Sequence, residues 1–248
     1  MPRFFVTAGD VGGGRVTVRG DDAAHLARSL RVRPGEIVVV VEDGRTEHGM
    51  RVGEIAPEAI SGDIVWSRPA GGEPPFDVTA LLAVAAQHMD HAVEGLVVAG
   101  ATSIHPVATE RSVVRLDAGA AGRRTARWQS VATNAAQLAG RAFVPPVAEP
   151  VSLHDALRAV PARSRILACV IDEAALPLAG LAQDGGPVAV VIGPEGGLGR
   201  TDREVLAEHG ADLVHLGPRT FPHHLAGTVA VSLLLAAAGD MSTAMQAP

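Results

Sequence analysis

Apolar residues change their spacing once along the chain, close to residue 72. Before that point, apolar runs of strand length alternate with turn signals at residues 15–19, 36–41, 50–55 and 59–66. One helix interrupts them; Asp21 or Asp22 caps it, and it ends near Arg33-Pro-Gly. Short strands at this spacing are typical of a small barrel, so the pattern predicts a β-rich first domain at residues 1–72.

Strands and helices alternate over residues 73–240, after a segment at 68–75 that has the Pro and Gly content of a linker. Strands are predicted at 78–84, 103–107, 165–171, 187–192 and 213–216, and helices at 88–99, 123–139, 153–160, 201–209 and 227–238. Thr201 and Glu204 form a capping-box pair in the fourth of these helices. Continuously apolar strands predict an α/β domain whose parallel sheet has helices on both faces. Residues 241–248 are predicted to be a loose tail.

The composition allows a large aliphatic core but argues against a broadly basic surface. Apolar residues make up 47% of the 248 residues and aromatic residues only 3%, while the net charge is −6. Proteins that bind nucleic acid through its phosphates usually carry a basic face. All 21 basic residues are arginine, and Arg28, Arg31 and Arg33 form the best local basic patch, at the end of the predicted helix. This patch either holds phosphates or is a solvated helix end partly neutralised by the two aspartates.

Other features indicate a soluble, cytoplasmic protein. The first residues lack the apolar stretch of a secretory signal, and the longest apolar run, 225–238, is too short to cross a bilayer. The one cysteine, Cys169, lies in an apolar run and is predicted to be a core thiol. We predict no metal site, because His215, His223 and His224 have no cysteine or carboxylate at ligand spacing.

The segment most informative about chemistry is Ile192-Gly-Pro-Glu-Gly-Gly197, which follows a strand of four apolar residues. Glycines at the end of a strand allow a sharp turn and a close approach of a ligand to the backbone. The same residues also suit an ordinary tight connection in an α/β domain. The chain has no Walker lysine and no G-x-G-x-x-G after its first strand, so the spacing does not favour a nucleotide triphosphate or a dinucleotide.

Three segments, in order along the chain, resemble the family that methylates a uridine N3 in 16S ribosomal RNA. The glycine segment and Leu216-Gly-Pro-Arg219 resemble its S-adenosylmethionine-binding region. Thr109-Glu-Arg-Ser112 resembles its Ser-Glu-Arg-Ser block, and His25-Leu-x-x-Ser-Leu-Arg31 resembles a signature of its first domain. The resemblance implies a PUA-like β-barrel, putting RNA binding at residues 1–72, and a SPOUT methyltransferase domain with a C-terminal trefoil knot at 73–240. It also implies a homodimer, S-adenosylmethionine as cofactor, and 16S rRNA or the 30S subunit as partner.

The resemblance carries site residues over position by position. It implies a cofactor site made of Ile192, Gly193, Glu195, Gly196, Gly197, Leu216, Gly217, Pro218 and Leu225. It implies substrate contacts from Arg28, Arg31, Arg33, His88 and Arg111, with Arg219 beside the cofactor and Arg141 near the acceptor.

The chain departs from the family where the family meets its acceptor. The block Ile-Leu-Arg-x-Glu-Thr-Ala of the family reads Thr220-Phe-Pro-His-His-Leu-Ala226, and both lysines of the helix that begins near His88 are missing. Loss of the N3 proton from uridine requires a base with a pKa near neutrality, which suits histidine. We therefore predict that His223 or His224 is catalytic, as base or by orienting the acceptor. His91 shares a helix face with His88, towards either the pocket or solvent.

Three functions fit these observations. The first is an rRNA uridine-N3 methyltransferase with a remodelled acceptor pocket. The second is a paralogue that uses S-adenosylmethionine to alkylate a small molecule, which the acidic balance and the histidines favour. The third is a non-catalytic protein that binds RNA or the cofactor, which the intact glycine segment disfavours.

Overall fold

The computed structural model describes residues 2–56, 58–112, 118–181 and 185–242, which divide into two compact units. The first unit contains the described residues up to Glu73 together with Ala136–Val144. The second contains those from Pro74 to Ala135 and from Pro145 onward. Sequence analysis assigned residues 136–144 to the second domain; they belong instead with the first unit, because Arg141 and Gln137 make polar contacts there with Glu73 and Asp22.

A six-stranded sheet forms the first unit. Its strands are β1 (Arg3–Val6), β2 (Val11–Gly12), β3 (Arg15–Arg19), β4 (Ile37–Glu42), β5 (Thr46–Ala56) and β6 (Ala59–Pro69), in the spatial order β1-β4-β5-β6-β3-β2. β1, which the apolar pattern did not reveal, pairs in parallel with β4, and the other pairs are antiparallel. Helix α1 (Gly20–His25) continues as a wider π-helical turn to Leu30. Alternate apolar side chains such as Phe4, Val40 and Ile60 form the core with Ala23 and Leu26.

Seven parallel strands form the sheet of the second unit. They are β7 (Val78–Ala83), β8 (Ser103–Ala108), β9 (Val151–Ser152), β10 (Arg165–Cys169), β11 (Leu176–Pro177), β12 (Val188–Ile192) and β13 (Asp212–His215), in the order β11-β13-β10-β12-β7-β8-β9. The helices are α2 (Met89–Ala99), α3 (Ala118–Ala139, whose last residues belong to the first unit), α4 (Leu153–Ala159), α5 (Arg200–Glu208) and α6 (His223–Ala237).

Helices cover both faces of this parallel sheet, so the predicted α/β class is confirmed. One face buries Leu81 and Val191 beneath Leu157 of α4 and Leu206 of α5. On the other face α6 packs against β7 and β12, and α2 crosses it closely. A Cβ on Gly227 of α6 would lie 2.9 Å from Leu96 Cδ2 and 3.5 Å from Ile192 Cγ1, so the crossing requires glycine.

Two helix starts differ from the predictions. α6 begins at His223 rather than at 227, so both histidines lie in its first turn. The capping-box prediction for α5 is wrong: Asp202, not Thr201, accepts a hydrogen bond at the helix start, from Gly199 N at 2.8 Å, and Glu204 pairs with Arg200 at 2.8 Å. Among the helices of the described ranges, none combines the length and apolar character needed to cross a membrane.

Candidate active site

The glycine loop, residues 193–199, connects β12 to α5. All strands of the sheet run in the same direction, so the loops that follow β7, β10, β12 and β13 lie at one edge, where α/β proteins bind ligands. Ile192 is buried at the end of β12, and a tight turn follows in which Gly197 N donates to Pro194 O at 2.8 Å. Gly197 has φ +71°, a backbone angle that residues with a Cβ rarely adopt. Glu195, Gly196 and Gly197 are exposed.

The second loop, residues 216–222, follows β13 at the same edge. Gly217 has φ +105° with open space where a Cβ would project, and its N–H donates to His215 Nδ1 at 3.1 Å. Leu216 is half-buried, whereas Gly217, Pro218 and Arg219 are exposed. Both loops therefore present backbone and small residues to solvent.

His223, the first residue of α6, is only 4% exposed. Its Nε2 lies 2.9 Å from Ala83 O at the end of β7, and because a carbonyl only accepts, Nε2 carries the ring proton. Nδ1 is then a buried acceptor with no partner among the described residues. Burial lowers the pKa of His223 below its usual value, against the opposing effects of the Ala83 hydrogen bond and the Glu195 charge. The ring is therefore neutral at pH 7.

His224 forms a cluster with two histidines at the start of α2. Its ring centroid lies 5.0 Å from that of His88 and 6.4 Å from that of His91, and those two lie 5.8 Å apart. The three rings line an open pocket together with Glu94, Leu225 and Thr228. Within the described ranges, no three His, Cys, Asp or Glu side chains have the geometry of metal ligands.

A second pocket brings together four of the predicted site residues. Glu195 of the glycine loop, His88, His223 and His224 line it, along with Ala86, Gln87 and Pro222. Residues from the loops after β7 and β12 and from the start of α6 thus meet at one place. Leu225 is 45% exposed and lines the histidine pocket.

Arg111 binds the glycine loop itself. Its Nη1 donates to Gly196 O at 2.6 Å. Two neighbouring residues that were not predicted to be functional, Glu110 and Asp202 of α5, also meet beside the loop: Glu110 N donates to the Asp202 carboxylate, and the Glu110 carboxylate accepts from Thr201 N. The Thr-Glu-Arg-Ser motif was the available signal for Glu110, whereas nothing in the sequence connects Asp202 with it.

The side chain of Arg141 is bound within the first unit. Its side chain is 3% exposed and its guanidinium donates to both carboxylate oxygens of Glu73 at 2.6 to 3.0 Å, within the first unit. The same carboxylate accepts from Ala142 N at 2.6 Å. Withdrawing this guanidinium would leave a charge of the pair without its partner, so the geometry favours a structural role for Arg141 near the linker. The catalytic role stays a prediction.

Arg28, Arg31 and Arg33 lie in the first unit, exposed at the end of the π-helical turn. Arg31 has φ +53° and ends the turn. Asp22, one of the two acids expected to neutralise them, instead accepts a hydrogen bond from Gln137 at 2.7 Å, and burial raises its pKa. No ion pair of the three arginines is found within the described residues.

Comparison with known proteins identifies the family. A family model described as an RNA methyltransferase domain matches residues 72–235. The chain belongs to this family. It is 29% identical to the ribosomal RNA small subunit methyltransferase E of Mycobacterium tuberculosis over 92% of this chain and 88% of the relative.

Solved structures share the fold of this chain. The ribosomal RNA small subunit methyltransferase E of Neisseria gonorrhoeae, crystallised with S-adenosylmethionine, is 28% identical with a TM-score of 0.82, covering 94% of this chain and 95% of that chain. A putative methyltransferase of Legionella pneumophila with bound cofactor is 21% identical, with a TM-score of 0.82 over 95% and 97%.

Proposed function

We propose that this chain is an S-adenosylmethionine-dependent methyltransferase that modifies N3 of a uridine in small-subunit ribosomal RNA. The observation that carries the proposal is the intact glycine loop at the carboxyl edge of the parallel sheet, in a chain that matches the RNA methyltransferase domain over 72–235. Its similarity to the small subunit methyltransferases E extends over nearly the whole chain, which supports the rRNA substrate.

The residues at the edge of the sheet fit this cofactor. Adenosine and methionine moieties carry no phosphate and require backbone hydrogen bonds and apolar contacts. Exposed backbone at Gly196, Gly197 and Gly217 offers the former, and the half-buried Leu216 offers the latter, while Ile192, buried at the end of β12, leads into the loop. We infer that these residues, with Gly193, Glu195, Pro218 and Leu225, hold the cofactor. When bound, S-adenosylmethionine supplies an electrophilic methyl group.

We assign the base to His224. A base must reach the N3 proton, and His224 is partly exposed and lines both pockets, whereas His223 is buried and held by Ala83 O. His224 takes the N3 proton, and His88 beside it contacts the acceptor. The buried ring of His223 stays neutral. Arg219, exposed and without a partner among the described residues, is placed to meet the negative charge that remains on the uracil.

The finer architecture is part of the same proposal. We infer that the second unit is a SPOUT domain; β13 pairs with β10, while α6 packs against β7, β12 and α2, an arrangement that supports a C-terminal trefoil knot. We infer that the first unit is a PUA-like RNA-binding domain that holds phosphates through Arg28, Arg31 and Arg33. The enzyme is proposed to act as a homodimer, which light scattering of the purified protein tests.

Methyl transfer from labelled S-adenosylmethionine to 30S subunits that lack the uridine N3 methyl group tests the proposal. Mass spectrometry of the rRNA should locate one new methyl group on a single uridine N3, and none without enzyme. Cofactor binding without incorporation into 30S subunits would reject the rRNA substrate.

A second candidate is transfer to a small molecule. It is favoured by the cluster of His88, His91 and His224, which lines an open pocket; by the resemblance, His88 stands where the family has a lysine. Labelled product in a small-molecule fraction, with none in rRNA, would support it over the first.

A further inference from the structure

Residues 109–112, which follow β8, form a hydrogen-bonded turn that contacts the glycine loop. Ser112 N donates to Thr109 O at 3.1 Å, Thr109 N donates to Ser112 Oγ at 3.1 Å, and the two hydroxyls lie 2.9 Å apart. These local bonds define the backbone between them, so Glu110 and Arg111 leave the turn in defined directions.

Glu110 and the start of α5 exchange hydrogen bonds in both directions. Thr201 N donates to Glu110 Oε2 at 2.8 Å, and Glu110 N donates to the two oxygens of Asp202 at 3.0 and 3.2 Å. Asp202 is only 5% exposed and also accepts from Gly199 N at 2.8 Å. The two carboxylates thus satisfy amide groups that a helix start leaves without partners. The bonds from Thr201 lower the pKa of Glu110.

Arg111 holds the middle of the same loop through a hydrogen bond. Its guanidinium donates to Gly196 O, and the loop is therefore held at Gly196 by Arg111 and at Gly199 by Asp202. A Cβ on Gly199 would collide with the Glu110 carboxylate, so the contact depends on glycine there. Between these two points lies Gly197, whose backbone has no side chain to restrict it.

We propose that Glu110, Arg111 and Asp202 form a loop clamp that holds residues 193–199 in the conformation that binds S-adenosylmethionine, an inference that rests on the proposed function. These are positioning residues. A glycine-rich loop loses much conformational entropy when a ligand orders it, and contacts that order it beforehand reduce this cost. The glycines allow the cofactor to approach the backbone closely, and the clamp offsets the conformational freedom that these glycines introduce.

The clamp predicts an effect on cofactor binding in the absence of RNA. Arg111→Gln removes a charge-assisted hydrogen bond and should weaken S-adenosylmethionine binding about ten- to a hundredfold by calorimetry. Arg111→Lys keeps a cation that can donate to Gly196 O and should restore part of the affinity. In turnover, KM for the cofactor should rise, whereas kcat at saturating cofactor should change little.

Arg200→Gln is the matched control. Arg200 lies at the start of α5 and is highly exposed, and its Nε donates to Glu204 on the same helix at 2.8 Å. This variant should bind the cofactor as the unaltered protein does. Hydrogen exchange of the peptide covering 193–204, without cofactor, should be faster in Arg111→Gln and unchanged in the control.

The outcomes separate the clamp from the function. Equal cofactor affinity and equal exchange in the unaltered protein and Arg111→Gln would overturn the clamp and leave the proposed function intact. Failure of the unaltered protein to bind S-adenosylmethionine would overturn the proposed function and the clamp with it. If Arg111→Gln unfolds, Arg111→Lys decides: a folded Lys variant in which the peptide covering 193–204 exchanges faster while the affinity for the cofactor is unaltered would also overturn the clamp.

Discussion

The two sides of the candidate site use different chemical groups, backbone on one side and side chains on the other. The glycine loop is made of backbone, turns and a buried carboxylate, and its sequence resembles the corresponding loop of the related family. The side that includes His88 and the start of α6 is made of side chains, and there the sequence departs from the pattern of the family that it resembles. Backbone recognition requires particular φ angles and close approach, so few substitutions are tolerated. Side-chain chemistry can be exchanged on an unchanged scaffold, so the acceptor side is where relatives of one fold diverge.

The strongest test of this difference is His224→Asn. If His224 is the base for the uridine N3 proton, kcat should fall about a hundredfold or more, because general-base catalysis contributes on that scale. Cofactor binding should not change, since the substitution affects only the acceptor side. Methyl incorporation into 30S subunits and calorimetry measure the two effects. His154→Asn, at an exposed histidine on α4, is the control, and equal activity of both variants would refute the assignment.

Gly197→Val should affect the cofactor side alone. The valine would have to adopt φ near +71°, which costs about 1–2 kcal/mol and should weaken cofactor binding roughly tenfold. Gly210→Val imposes similar strain at φ +68°, beyond the end of α5, and should lower stability without changing affinity. Equal losses of cofactor affinity in both variants would indicate a general effect of strain.

The Arg28 patch extends the comparison to the first unit. Arg28→Gln should weaken rRNA binding a fewfold and reduce the slope of log affinity against log salt by about 1, if the arginine contacts one phosphate. Cofactor affinity should stay the same. Filter binding at several salt concentrations measures the slope, and Arg163→Gln, at an exposed arginine of the second unit, serves as the control. An unchanged slope would remove Arg28 from the RNA-binding surface.

His223 predicts a modest dependence of stability on pH. Its folded-state pKa is lowered below 6.5 by burial, so the unfolded chain binds more protons between the two pKa values. The contribution to stability is complete above about pH 6.5 and is lost as the pH falls. Denaturant unfolding between pH 8 and 5 should therefore show a steeper loss in the unaltered protein than in His223→Gln, which can still donate to Ala83 O. Parallel curves would exclude this role.

Much of the scaffold was predictable because its signals are local. The buried strands at 165–171 and 187–192 were continuous apolar runs, and the helix at 88–99 had a regular apolar face, so their assignments are confirmed within two residues. β1 was missed because Arg3–Val6 is a strand only through its parallel pairing with β4. The start of α6 was placed too late because Pro222 and two histidines resemble a loop, although Pro222 is well suited to precede a helix.

The sequence by itself determined the fold class, the glycine loop and the family resemblance, because these depend on residue type and spacing along the chain. Only the tertiary structure decided what each polar side chain contacts. Arg141 turned out to bind Glu73, Asp202 to cap its own helix and hold Glu110, and His223 to be buried against Ala83 O while His224 joined His88 and His91. Such partners lie up to 140 residues apart along the chain, and only the packing of strands and helices brings them within hydrogen-bonding distance.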